Sequence, residues 1–151
     1  MTTLVLVRGL PGSGKNAFAE TILSGKAKSR ASVVSADDYF EMPTGYAFDP
    51  FHLPRAHESC QRRTERLLQF DATVVVANTF SQRWELEFYF QIAARLMVRT
   101  HVVDLYDGGL TDEELAVRNK HGVPVETIAQ MRGLWESNWR AGDPRPPWER
   151  A

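Results

Sequence analysis

A single cysteine, Cys60, stands in a chain of 151 residues, so neither an internal disulfide nor a cysteine-rich zinc site can form. The four histidines, His52, His57, His101 and His121, show no metal-ligand spacing. No apolar run approaches the ~20 residues that a membrane-spanning helix needs. Leu4-Val5-Leu6-Val7 is followed by glycines and lacks a signal-cleavage pattern. Neither sign of charge dominates: 18 basic against 19 acidic residues give −1. That excludes a whole-chain electropositive footprint and confines any nucleic-acid role to a local patch. Repeats and low-complexity runs are absent too, which excludes solenoids and disordered tracts. These absences fit a reducing, cytoplasmic setting with no membrane contact, and nothing marks an obligate protein partner.

What is present is the composition of one globular domain, with 43% hydrophobic and 25% charged residues. Four short β-branched runs, Leu4–Val7, Ser32–Ser35, Thr73–Ala77 and His101–Leu105, are too continuously apolar for a one-faced sheet and read as parallel strands buried on both sides. Helical stretches lie between them. One spans Ala17–Leu23. Asp49-Pro50 supplies a cap and first-turn proline for a helix over about 51–69. Ser81 is positioned to cap another through about Met97. Thr111-Asp-Glu-Glu114 forms a capping box for a helix stopping at Gly122-Val-Pro124, and Ile128, Met131, Trp135 and Trp139 mark a last amphipathic helix. Alternating strands and helices imply an α/β fold, a parallel sheet of four to five strands with helices on both faces. Residues 1–140 form the domain, and 141–151 a proline-rich tail expected to be irregular.

Chemistry concentrates in Gly9-Leu-Pro-Gly12-Ser13-Gly14-Lys15, which follows the first strand and precedes a helix, as a P-loop requires. Its glycines let successive N–H groups turn inward, the helix N-terminus adds partial positive charge, and Lys15 reaches the β- and γ-phosphates. A glycine-rich turn that binds nothing is the bland alternative. A dinucleotide fingerprint fails for want of a third glycine. Gly12, Ser13, Gly14, Lys15, Asn16 and Ala17 are thus the expected nucleotide-binding residues, with ATP and Mg²⁺ as cofactors. Asn16 stands where the pattern has the Ser or Thr whose hydroxyl ligates Mg²⁺, and its longer amide fits the strict octahedral geometry less well. At the end of the second strand, Asp37 points toward the phosphates, able to accept a proton from an attacking hydroxyl or to help hold Mg²⁺, whereas Asp38 reads as a helix cap.

Arg55, Arg62 and Arg66 fall within about 40° of one another on their helix, with Arg63 nearby. They read either as a track for an acceptor phosphodiester backbone or as a solvated face. Phe88, Tyr89 and Phe90 read as core rather than as a base-stacking platform. His57 is either a buried polar residue or a wall of the site.

Taken in order, Arg8-Gly-Leu-Pro-Gly-Ser-Gly-Lys15, Ser35-Ala-Asp-Asp-Tyr39, Phe48-Asp-Pro50, Ala56-His57, Asn78-Thr79-Phe80, Trp84-Glu85 and Arg118-Asn-Lys-His-Gly-Val-Pro124 resemble one family. It is the P-loop kinases related to the bacteriophage polynucleotide 5′-hydroxyl kinase, among them many small phage and bacterial proteins. The resemblance runs from about residue 3 to residue 136. It implies that Asp37 is the general base and that Arg118 is an arginine of a lid over the phosphates, spanning about 108–124. The expected activity is transfer of the γ-phosphate of ATP to a hydroxyl on a nucleic acid, either a 5′-hydroxyl end or a hydroxymethylated base in phage DNA. Phe40 replaces an arginine that holds the acceptor in the phage kinase, and Ala77 replaces an acid found in some relatives. A small-metabolite kinase, or a nucleotide-binding module made slow by Asn16, are the alternatives.

Overall fold

The computed structural model describes residues 2–24, 31–70 and 73–150. Its elements in chain order are β1 (Thr3–Gly9), α1 (Lys15–Ser24), β2 (Ala31–Val34), β3 (Glu41–Met42), β4 (Gly45–Tyr46), α2 (Leu53–Leu68), β5 (Thr73–Asn78), α3 (Arg83–Arg95), β6 (Arg99–Tyr106), α4 (Asp112–Arg118) and α5 (Val125–Gly133). Four strands form a parallel sheet in the order β2-β5-β1-β6, and β3 pairs antiparallel with β4 in a small separate hairpin.

Alternation along the central strands divides the core into two layers. Leu4 and Leu6 of β1, with Val74 and Val76 of β5, face Ala56, Cys60 and Leu68 of α2 and Leu86, Tyr89 and Ile92 of α3. Val5, Val7 and Val75 face the other way, onto Ala19, Phe18 and Ile22 of α1. A third cluster, Leu10, Leu115 and Ile128 with Tyr106, Met131 and Trp135, joins α4 and α5 to the end of the sheet. Helices thus cover both faces. The chain leaves β1 on the α1 face and β5 on the α3 face, so the two connections diverge and open a crevice at the strands' carboxyl ends.

Several elements differ from the sequence reading. β6 is an edge strand with His101 exposed, because a neighbour pairs with it on one side only. Asp49 caps a 3-10 turn over Pro50–His52, its carboxylate accepting from the Phe51 N–H, and α2 begins only at Leu53. The cap of α3 is Gln82 in a reciprocal box with Glu85, because Ser81 is buried with its carbonyl committed to Arg8. This helix stops at Arg95, and Met97 turns left-handed at φ 57°. Thr111 and Glu114 do form the expected box, yet α4 ends at Arg118, because Asn119 takes over the carbonyls of Leu115 and Ala116. The last helix ends at Gly133, and Trp139 lies instead in a 3-10 turn, stacked on Phe90 at 5.6 Å. Part of the tail is likewise ordered as a 3-10 turn, Pro147–Glu149, with Trp148 edge-on to Trp84; Ala151 lies outside the described residues.

The burial of Arg8 is not foreseen in the sequence, where the residue only opens the P-loop run Arg8–Lys15. It is fully buried at the end of β1, a place that an isolated cation cannot occupy without partners. Its Nε donates to the Phe80 carbonyl, and the rest of the guanidinium donates to the Asp104 carboxylate and to the carbonyls of Ser81 and Glu136. Trp135 stacks on its face with Cζ 3.9 Å from the ring centroid.

Candidate active site

The loop after β1 adopts left-handed backbone at Gly12 (φ 83°) and Gly14 (φ 99°). These angles favour glycine and turn the loop around its own N–H groups. The first helical bond of α1 runs from Phe18 N–H to the Gly14 carbonyl. The N–H groups of Gly14, Lys15, Asn16 and Ala17 therefore have no helical acceptor, which leaves four donors at the positive end of the helix dipole. Asn16 and Ala17 are both exposed there. Lys15 Nζ donates to the carbonyls of Gly9 at 2.8 Å and Leu10 at 3.1 Å. Burial lowers its pKa from 10.5 to about 8, and the Asp37 carboxylate acts against that shift.

Asp37 sits in a 3-10 turn over Ala36–Phe40 at the carboxyl end of β2. The turn is fixed from both sides. Ser35 Oγ accepts from the Asp37 N–H while Asp38 accepts from the Ser35 N–H. Buried Asn78, at the end of β5, accepts from the Ala36 N–H at 2.9 Å. Asp38 is further paired with Arg63 at 3.0 Å and faces away as a cap, leaving Asp37 directed into the crevice. Tyr46 of the hairpin donates its hydroxyl to Asp37 Oδ1 at 3.0 Å, and His121 Nε2 lies 3.5 Å from Oδ2. Burial and the Asp37 charge both push the Tyr46 hydroxyl pKa well up, so it remains a donor. His57, half-buried on α2, also feels Asp37, although burial dominates and lowers its pKa.

Arg118 ends α4 beside the P-loop: a Cβ on Gly12 would lie 2.6 Å from the Leu115 carbonyl oxygen and 3.2 Å from the Asn119 nitrogen. The arginine is exposed, with no ion-pair partner among the described residues. α4 is held by Arg132 of α5, which pairs with Asp112 and Asp107 at 2.7 Å each and donates to the Leu110 carbonyl. Arg55, Arg62 and Arg66 line one groove of about 550 Å³ together with Arg63 and Tyr39. Phe40 is buried in the core. Phe88, Tyr89 and Phe90 pack in or against the core, as their helical spacing requires.

The residues fit a nucleotide with its metal. Among the described residues no cluster of three or more His, Cys, Asp or Glu could hold a metal ion by itself. A Mg²⁺ bound mainly by phosphates and water, with one or two protein ligands, suits such a site. The Asn16 amide and the Asp37 carboxylate are the groups at hand. The sequence reading missed Tyr46, whose only signal is a tyrosine in a short hairpin, and His121, which lies in the run Arg118–Pro124 without a spacing that marks it.

Comparison with known proteins places these features in context. A family model described as an AAA domain matches residues 4–136. Human NEDD4-binding protein 2 is 35% identical over 131 residues, which are 85% of this chain and 7% of that protein. A chain from the Pnkp1/Rnl/Hen1 RNA repair complex aligns with a TM-score of 0.68 and 22% identity, covering 88% of this chain and 43% of its own. Kti12 of Chaetomium thermophilum, solved with ADP-AlF3, aligns with a TM-score of 0.69 and 14% identity, covering 96% and 84%. The chain thus spans less than half of the first two relatives' lengths, and the structural likenesses show the fold alone.

Proposed function

Because the chain belongs to the AAA domain family and has a P-loop kinase-like fold, we propose that it is an ATP-dependent phosphotransferase whose acceptor is a hydroxyl on a nucleic acid. The observation that carries the reading is that the Asp37 carboxylate lies within Coulombic reach of the P-loop Lys15, while Tyr39, two residues on, lines an arginine-rich groove. The N–H groups of Gly14 through Ala17 and the Lys15 ammonium hold the β- and γ-phosphates. Asp37 takes the proton of the acceptor hydroxyl as its oxygen bonds to the γ-phosphorus and the bond to the β–γ bridging oxygen breaks, releasing ADP. Arg118, assisted by Lys120, faces the charge that spreads over the transferring group, and α4 with the loop through residue 124 acts as the lid. Mg²⁺ bound with the nucleotide would supply charge neutralisation, and Asn16 and Asp37 are the residues that would hold it.

Arg55, Arg62 and Arg66 are the acceptor-binding groups of this reading, spaced along a groove that starts at Tyr39, two residues from Asp37. The RNA-repair context of the Pnkp1 relative supports a nucleic-acid acceptor. Asn16 favours a second reading, a nucleotide-binding role with slow turnover. Transfer from γ-labelled ATP to 5′-hydroxyl oligonucleotides, hydroxymethyluracil-containing oligonucleotides and free nucleosides tests both. Label on an oligonucleotide is expected, and tight ATP binding with no label on any acceptor overturns the reading.

A further inference from the structure

Both carboxylate oxygens of Asp37 are engaged, and by groups from two segments far apart in the chain. Oδ1 accepts the Tyr46 hydroxyl from the β3–β4 hairpin at 3.0 Å, and Oδ2 faces His121 Nε2 at 3.5 Å from the loop after α4. The two rings lie against each other, with centroids 4.0 Å apart and planes inclined by 32°. His121 is itself held in place. The Asn119 side chain accepts from the N–H groups of His121 and Val123 and donates to the carbonyls of Leu115, Ala116 and Val123, so the turn carrying the imidazole is built around one amide. The same Asn119 backbone nitrogen abuts Gly12 of the P-loop. A continuous path of packed groups therefore runs from the P-loop through the end of α4 to the carboxylate.

We propose that His121 and Tyr46 are positioning residues that clamp the Asp37 carboxylate between the hairpin and the loop after α4, so that the base is oriented only when that loop is seated on the P-loop. The proposal rests on the reading of Asp37 as the base. Tyr46 fixes one oxygen by a hydrogen bond, His121 fixes the rotation of the carboxylate from the other side, and their ring contact makes each depend on the other. A carboxylate held this way keeps its remaining lone pairs in one direction for an incoming hydroxyl.

The test combines a kcat-against-KM comparison with rescue by a conservative variant. Tyr46→Phe keeps the ring and removes the donor; His121→Ala removes both ring and donor, and His121→Gln restores a donor of similar reach. Loss of the Tyr46 hydrogen bond and loss of the His121 contact are each expected to lower kcat about tenfold with the KM for ATP unchanged, with partial recovery in His121→Gln. The Tyr46→Phe/His121→Ala double variant is expected to lose less than the product of the single effects. Unchanged kcat in the Tyr46 and His121 variants, or strictly multiplicative losses, would each overturn the clamp. Full activity in Asp37→Asn, or no transfer by the parent protein, would instead overturn the reading of the base, which separates the two failures.

Discussion

Gly12 and Leu115 approach so closely that a methyl group on Gly12 would come within 2.6 Å of the Leu115 carbonyl oxygen. The P-loop is therefore seated directly on the last turns of α4, and Gly12 meets two demands at once, that contact and a φ of 83°. Gly12→Ala is expected to displace α4 from the loop and weaken ATP binding about tenfold or more, from strain of roughly 1–3 kcal/mol. Isothermal titration with ATP measures it, and an unchanged affinity would show that α4 moves aside without consequence.

Lys15→Met is expected to abolish ATP binding while leaving the fold intact, since no salt bridge ties the ammonium to the core among the described residues. A pH-dependent stability difference follows from its lowered pKa. The folded protein releases the Lys15 proton at about pH 8, whereas an unfolded chain holds it until about 10.5. Between those values the unfolded state binds more protons, so the parent protein gains stability as pH rises, and that part of the gain is absent in Lys15→Met. Thermal melts from pH 7 to 10.5 are expected to show the variant's advantage largest below pH 8 and shrinking above it.

Arg118 stands exposed at the end of α4 beside the P-loop. A cation that meets charge developing in the transition state acts on the rate rather than on ground-state binding. Arg118→Ala is expected to lower kcat about 10²–10³-fold with a much smaller change in ATP affinity. Steady-state kinetics beside nucleotide titration decides it; a pure affinity loss with normal kcat contradicts the role.

Asn16 is exposed on the first turn of α1, where a hydroxyl would reach Mg²⁺ directly and the longer amide must bend. Asn16→Ser is expected to tighten Mg²⁺-dependent ATP binding and raise transfer, while affinity for metal-free ATP stays the same because the loop N–H groups and Lys15 remain. Magnesium titrations of both proteins measure it, and identical magnesium dependence would show Asn16 to be a competent ligand.

Local pattern carries much of the architecture. The β-branched runs, the glycine spacing and the Thr111–Glu114 box are each contained within a few residues, and each is present where the pattern places it. The clustering of Arg55, Arg62 and Arg66 follows from helix periodicity in the same way. What pattern does not carry is contact between distant segments. Arg8 reads as one more basic residue until Phe80, Ser81, Asp104 and Glu136 converge on it, and the same convergence removes Ser81 from the cap of α3. Tyr46 and His121 acquire meaning only because the hairpin and the loop after α4 meet over Asp37. The end of α4 is displaced by a side-chain amide competing for its last carbonyls, a choice invisible to helical spacing.

The Arg8 network also sets how the molecule comes apart. A guanidinium stripped of any of its acceptors becomes a poorly compensated buried charge, so opening the segment at Trp135 and Glu136 carries a penalty at the strand that leads into the P-loop. Amide protons of the residues after α5 and of the nucleotide loop are therefore expected to exchange with solvent together, and a chain cut before Trp135 is expected to bind nucleotide more weakly although the whole P-loop is still present.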